Sequence, residues 1–472
     1  MPALHISPYS GAWYPGEARE LDELLEELFE RSRQRTGPYL YPGGLGFVVP
    51  HAGPRYSGAV AAAVYRSLRE QKPDRIVLLA FPHRGGLRGV AVPRVDAIAT
   101  PLGAVRIDPS LPPQLPRVAE DRVCDHSFEI QLPFLQKAAP GARITPLYVG
   151  RMEDEERSAV AQSLAAAWRP GTVFVASSDF THYGPDFGYV PFPADRHIAE
   201  RLRALDEECI EAAGSLESSL FLKTLSDTGA TVCGSDPIAL LLETAARIVP
   251  GDLWQVTLDY QTSGEITGDY EHSVSYAALG YYHRSAFRLD PPDREALLAA
   301  AEETLQGAHQ GESLPPKVGG SLALRAECGM FVTLHRGEEL LGCIGNCSGR
   351  SSLADAVSEL ALAAAFDDPR FTPGAALDGP VEVEISVLSP LRRITSASQF
   401  QVGRHGGLLR LGACSGLLLP QVARKRWSAE DFLRALAQKS GLQPEAWRDP
   451  EARLYVFEAQ VFSRARGLAA EA

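Results

Sequence analysis

Leu21, Leu24, Leu25 and Leu28 stand at i, i+3, i+4 and i+7, so residues 21–33 are predicted to form an amphipathic helix with one apolar face. A Gly/Pro-rich break follows, and then Gly-Phe-Val-Val-Pro, a short buried-strand pattern ending at His51. Residues 58–70 read as an alanine-rich helix and residues 75–82 as a second apolar strand, ending at His83. Strand, helix and strand with short connections are the pattern of a parallel βαβ unit. The rhythm recurs: strands over 142–150 and 172–178 flank a helix over 153–168. Helices over 194–213 and 237–248 follow, and strands over 254–260 and 273–282 close the region.

Residues 288–294, Arg-Leu-Asp-Pro-Pro-Asp-Arg, read as a linker, and the pattern changes after them. A helix over 295–305 precedes two apolar runs, 329–335 and 339–345, that flank a short polar turn as in a hairpin. An alanine/leucine helix over 352–366 and a cleanly alternating strand over 381–388 come next. Further strands are expected at 406–412, 416–422 and 454–462, with a helix over 429–440. The expectation is two domains. Residues 1–287 form an α/β domain with a mostly parallel central sheet, and residues 288–472 an α+β domain with a mainly antiparallel sheet.

Composition adds exclusions. Of 472 residues, 45% are hydrophobic and 22% charged, an ordinary globular balance. The net charge is −13, and neither domain has the basic surplus that binding a phosphate backbone needs, so no nucleic-acid partner is expected. Seven cysteines are too few for a disulfide scaffold. No apolar run is long enough to cross a bilayer, and the first residues do not read as a signal peptide. A reducing, cytoplasmic setting without membrane attachment is the expectation.

Four polar clusters follow strands or open helices in the first domain: Pro50-His51-Ala52-Gly53, Pro82-His83-Arg84-Gly85, Ser177 to His182, and Val232-Cys233-Gly234. Ligands of open α/β sheets bind beyond the carboxyl ends of the strands, so His51 and His83 are expected to face one crevice. Two imidazoles with one anionic ligand suit iron, copper or zinc. Cys233 is a candidate third ligand, because a helix N-terminus after it would favour thiolate. If Asp179 and His182 share a helical turn, they point the same way, and His182 becomes a general base oriented by the carboxylate. His126 either supports a neighbouring ligand or hydrogen-bonds within the fold. The ordinary readings are a turn histidine, a small buried cysteine and a capping aspartate. Gly-Asn-Cys-Ser-Gly-Arg-Ser-Ser, residues 345–352, lacks the Gly-Lys-Ser/Thr of a phosphate loop.

In order and spacing, FVVPHAGPRYSGAVAAAVY, DHSFEIQLPFLQ, SSDFTHYG and VCGSDPIALLL resemble the Memo-like family over roughly 8–283. That family resembles class III extradiol dioxygenases in fold. The resemblance implies metal ligands His51, His83 and Cys233, with Asp179 and His182 beside them; the candidate catalytic residues are His182, Asp179 and His126. The dioxygenases have a carboxylate where this family has the cysteine, so ring cleavage does not transfer with the fold. Here Phe81-Pro82-His83 replaces the family's usual Pro-Ser-His, and Asp125 stands in place of a glutamate.

Residues 293–465 resemble the AMMECR family through MFVTLHRGEELLGCIG, DDPRFTP, VEVEISVLSPLRRI and LLLPQVA, with Leu341 where that family usually has arginine. The fusion resembles proteins of the AmmeMemoRadiSam system, which implies a radical SAM partner. The expected function is a metal-dependent, dioxygenase-like oxidoreductase acting on a small molecule through one transition-metal ion, Fe(II) ahead of Cu or Zn. The alternatives are a nonenzymatic metal-binding scaffold and, third, a cysteine-dependent hydrolase.

Overall fold

The computed structural model describes residues 3–84, 86–108, 115–311, 318–349, 351–423 and 426–465; Gly85 and Arg350, which belong to two of the motifs above, lie outside them. The chain divides into two compact units, residues 1–286 and 287–472. Among the described residues, no helix is long and apolar enough to cross a membrane.

The first unit is built on a nine-stranded mixed sheet. Its centre is four parallel strands in the order β1 (Gly44–Val49), β5 (Thr172–Ser177), β2 (Arg75–Ala80) and β4 (Arg143–Val149). β1 and β5 are buried along their whole length, as strands covered on both faces must be. Antiparallel strands join both sides of this centre. β3 (Val90–Pro93) pairs with β4, and β8 (Ser273–His283) pairs with β1, with β7 (Leu253–Thr262) and with the two-residue β6 (His182–Tyr183). The α/β layout is therefore the expected one; parallel pairing runs through the middle of the sheet and recurs at one edge, where Arg117–Val118 pairs with β3.

Helices cover the sheet. α1 (Ala18–Thr36) buries Leu21, Leu25, Leu28 and Phe29, each such side chain contributing roughly 1.5–3 kcal/mol, and Gly37 at φ +70° ends it. α2 (Pro54–Gln71) starts four residues earlier than expected because Pro54 occupies its first turn, where no N–H is needed. Its alanine run is buried from Ala59 to Ala63. The helix expected from 194 begins only at Ile198, as α3 (Ile198–Gly214).

β1 and β2 are not neighbours: β5 lies between them and pairs in parallel with both. All three strands still end on one edge, so His51, Asp179 and His83 leave adjacent strand ends together.

The second unit contains two four-stranded sheets with antiparallel pairing throughout. One has the order β10 (Glu339–Asn346), β9 (Met330–Arg336), β11 (Glu382–Leu388), β16 (Ala459–Ala465); the other β12 (Arg392–Ile394), β15 (Arg453–Phe457), β13 (Gly406–Leu411), β14 (Cys414–Leu418). The expected single strand over 454–462 is two strands in different sheets. The chain changes sheet at Glu458, whose N–H donates to Ser389 Oγ and whose carbonyl accepts from the Ser389 N–H, both at 2.9 Å. The strand expected at 416–422 stops at Leu418, where Pro420 removes a ladder donor. The prolines of the expected linker instead start a helix, Pro291–Gln310, in which a missing N–H costs nothing. Leu341 packs into the core of this unit, and Asp368 accepts from the Cys343 N–H and from Arg370 Nε and Nη2.

Candidate metal centre

His51 follows β1 and is buried. Its ring is held by a chain of hydrogen bonds that decides its tautomer. Ser177 Oγ donates to Ser127 O at 2.5 Å, and a carbonyl can only accept. The single hydroxyl proton is thereby committed. Ser177 Oγ must accept from Gln131 Nε2 at 3.1 Å and from His51 Nδ1 at 3.0 Å. Gln131 is itself fixed, since Nε2 also donates to Pro50 O while Oε1 accepts from Tyr65 Oη. His51 therefore carries its proton on Nδ1 and presents the Nε2 lone pair. Burial, followed by His126 and His83, lowers its pKa well below the ordinary value, so the ring is neutral.

His83 follows β2 and shows the same logic with a different acceptor. Its Nδ1 lies 2.8 Å from Asp125 Oδ1, and its backbone N–H donates to Asp125 Oδ2 at 3.3 Å. Burial raises the Asp125 pKa, but the hydrogen bond from His83 and the charge of His126 hold it below the usual carboxylate range. An ionised carboxylate only accepts, so His83 also donates through Nδ1 and leaves Nε2 open. Asp125 takes this role despite being shorter than the family's glutamate, because it also caps the turn at 126–129 through the Ser127 N–H.

Cys233 Sγ lies 3.1 Å from His51 Nε2 and accepts from the Asp179 N–H at 3.2 Å. One donor atom each from His51, His83 and Cys233 falls within 4.8 Å of the other two. Nitrogen, nitrogen and sulfur donors at this spacing fit a transition-metal ion, with hydrogen-bond partners already orienting both imidazoles. The expected depression of the thiol by a helix N-terminus is not what the geometry gives. Burial, and then the negative Asp179, push Cys233 above its ordinary value, so it becomes thiolate only when a cation replaces its proton. Gly234 is required beside it, because a Cβ there would come within 2.5 Å of Ser177 O and 2.6 Å of Ser178 Cβ.

Asp179 and His182 reach the same cavity but not from a helical turn. Residues 179–181 form no helix: the Phe180 N–H donates to Ser275 O and the Ser275 N–H to Thr181 O, which ties the segment to β8 ahead of β6. Asp179 does not orient His182. Its Oδ1 accepts from the His51 and Ala52 N–H groups at 2.8 and 3.3 Å, and burial raises its pKa. His182 Nδ1 instead faces two carbonyls, Phe180 O at 2.9 Å and Thr231 O at 3.1 Å, which again leaves Nε2 free. His126 stacks on His83 with ring centroids 4.2 Å apart; burial brings its pKa down to about 4.

These groups line an open cavity of ≈720 Å³, with Trp13, Tyr56 and Phe187 on its wall. The three aromatics are 41–47% exposed. Sequence reasoning missed Ser177, Gln131 and this wall. Gln131 lies within a motif already singled out, but nothing in a linear pattern shows that its amide meets a serine 46 residues away.

The Memo-like protein family matches residues 7–280. The chain belongs to that family. Residues 298–462 match AMMECR1, so a Memo-like domain is followed by an AMMECR1 domain. The chain is 33% identical over 291 residues to a MEMO1 family protein of Methanopyrus kandleri, covering 57% of this chain and 96% of that protein. It is 34% identical over 279 residues to one of Methanosarcina barkeri, covering 57% and 97%. It is 29% identical over 287 residues to the memo-1 homolog of Caenorhabditis elegans, covering 57% and 80%. Among solved structures, an uncharacterised protein from Pyrococcus horikoshii is similar at 34% identity and a TM-score of 0.33, covering 36% of this chain and 88% of that one.

Proposed function

We propose that the Memo-like domain holds one transition-metal ion, Fe(II) ahead of copper or zinc, through His51 Nε2, His83 Nε2 and Cys233 Sγ, and performs dioxygenase-like oxidation of a small organic molecule. The observation that carries this reading is the shared orientation of the two imidazoles. Ser177 and Asp125 commit both Nδ1 atoms, so both Nε2 atoms are available beside the thiol. A bound Fe(II) would supply one-electron chemistry and open positions for O₂ and substrate.

The chain's own residues supply the rest. Cys233 gives up its thiol proton on binding the cation. His182, pinned through Nδ1, offers Nε2 to accept or return a proton at the substrate. Trp13, Tyr56 and Phe187 favour a planar, largely apolar substrate, because exposed aromatic faces gain most from covering such a surface.

The test is metal analysis and oxygen consumption with full-length protein purified without oxygen. The reading expects iron that is lost in His51→Ala and His83→Ala protein, and oxygen uptake stimulated by small aromatic compounds. Wild-type protein that binds none of iron, copper or zinc under reducing conditions would remove the site. Tight metal binding without any substrate-dependent oxygen uptake would favour the nonenzymatic role.

A further inference from the structure

A second group of donors lies outside the cavity. His5 sits on the short strand Leu4–Ile6, while Cys124 and Glu129 flank the turn capped by Asp125. One donor atom from each of the three lies within 4.8 Å of the others. None of the three lines the cavity described above. Glu129 is fully buried, and its two oxygens differ. Oε1 lies 3.0 Å from His5 Nε2, whereas Oε2 has no hydrogen-bond partner among the described residues.

A His5–Glu129 ion pair accounts for Oε1 alone. It leaves a buried carboxylate oxygen without a partner and does not involve Cys124, whose thiol meets the Tyr148 hydroxyl. Burying a carboxylate that is only half satisfied is unfavourable, and a cation beside it removes the penalty. Nitrogen, sulfur and carboxylate oxygen form a mixed set suited to a borderline-soft divalent ion. His5 Nε2 already faces Glu129, and the Glu120 carboxylate lies 3.7 Å from Nδ1 on the outer side, too far for a hydrogen bond but near enough to favour a proton there.

We propose that His5, Cys124 and Glu129 form a second divalent-metal site of zinc type, with water completing the coordination. Zinc–ligand bonds of about 2.0–2.3 Å place neighbouring donors roughly 3.3–3.7 Å apart, so closing the group around an ion needs movements of about 1 Å. Binding displaces the Cys124 thiol proton and the His5 Nε2 proton, leaving thiolate, neutral imidazole and carboxylate as ligands. The ion would clamp the N-terminal strand onto the turn that carries Asp125 and His126, and so stiffen the support of His83.

The experiment is a Co²⁺ titration of full-length Cys233→Ser protein, which disables the thiolate of the first site. The expected result is a near-ultraviolet thiolate-to-cobalt band that saturates at one equivalent. The band should vanish in Cys124→Ser/Cys233→Ser protein and need at least tenfold more cobalt in His5→Ala/Cys233→Ser protein. His5→Gln/Cys233→Ser protein, whose amide can still donate to Glu129 Oε1 but is a poor cobalt ligand, should show the same loss of affinity where His5→Ala disturbs the fold. The same band in the variant lacking both cysteines, or no band in Cys233→Ser protein, would overturn the proposal.

Discussion

Ser177 Oγ lies 3.0 Å from His51 Nδ1 and gives its one proton to Ser127 O, so it can only accept from the imidazole. Ser177→Ala removes that acceptor while leaving the ring in place. Loss of such a partner typically weakens metal binding 10–100-fold. We expect that range for Ser177→Ala in a chelator-competition titration, with Ser177→Thr retaining more than half of the free-energy difference. An unchanged dissociation constant for Ser177→Ala would mean that His51 needs no orienting partner.

Asp125 plays the matching part for His83 and adds a charge. Asp125→Asn keeps an oxygen that can accept but loses the charge, and Asp125→Ala loses both. Metal affinity should fall in the order wild type, Asn, Ala, the last by 10–100-fold. Equal affinities for the two variants would show that charge alone, and not orientation, supports His83.

Gly234 lets the Cys233 segment lie against the end of β5. A Cβ at this position meets backbone at 2.5 Å, so Gly234→Ala must displace either that segment or Ser177. We expect a loss of about 1–3 kcal/mol in stability, measured by chemical denaturation, together with weaker metal binding. A variant of wild-type stability with full metal affinity would contradict the packing described here.

In the second unit, Asp368 accepts from Arg370 and from the Cys343 N–H. The hydrogen bond from Arg370 holds its carboxyl well below the usual carboxylate range. A depressed carboxylate contributes stability that is present above the unfolded value, about 3.9, and is lost as pH falls through the folded value. Asp368→Asn should therefore cost about 1–2 kcal/mol at pH 7, towards the lower end because the Arg370 side chain is half exposed. The difference from wild type should shrink progressively below about pH 4. A penalty independent of pH would assign the loss to packing instead.

The parallel core was legible because β1, β2 and β5 are short, mostly apolar runs with Pro, Gly or polar residues at their ends, and β4 keeps that character around Thr145 and Pro146. The helices expected near them differ mainly at their ends, as at α2, where Pro54 extends the first turn. The pattern along a strand says nothing about which sheet it joins. The run at 454–462 alternates well throughout, yet it changes sheet at Glu458 because Ser389 holds its backbone there. The non-helical path of 179–181 depends likewise on pairing with β8, nearly a hundred residues later. His51, His83 and Cys233 were legible by position, as polar residues directly after strands or before a helix. Their tautomers were not, because those depend on Ser177, Gln131 and Asp125, which only the fold brings into contact.

The ligand set itself is read most directly by zinc-edge X-ray absorption on full-length Cys124→Ser protein loaded with one equivalent of zinc. That background removes the thiol of the second cluster. One sulfur scatterer is expected at about 2.3 Å, with two imidazole nitrogens at about 2.0–2.1 Å. The sulfur should disappear in Cys124→Ser/Cys233→Ser protein, and His197→Ala should change nothing, because that residue is exposed and paired with Glu200. A shell of nitrogen and oxygen alone in the Cys124→Ser protein would contradict the central claim, because it would exclude Cys233 from the metal and leave Asp179 or His182 to take its place.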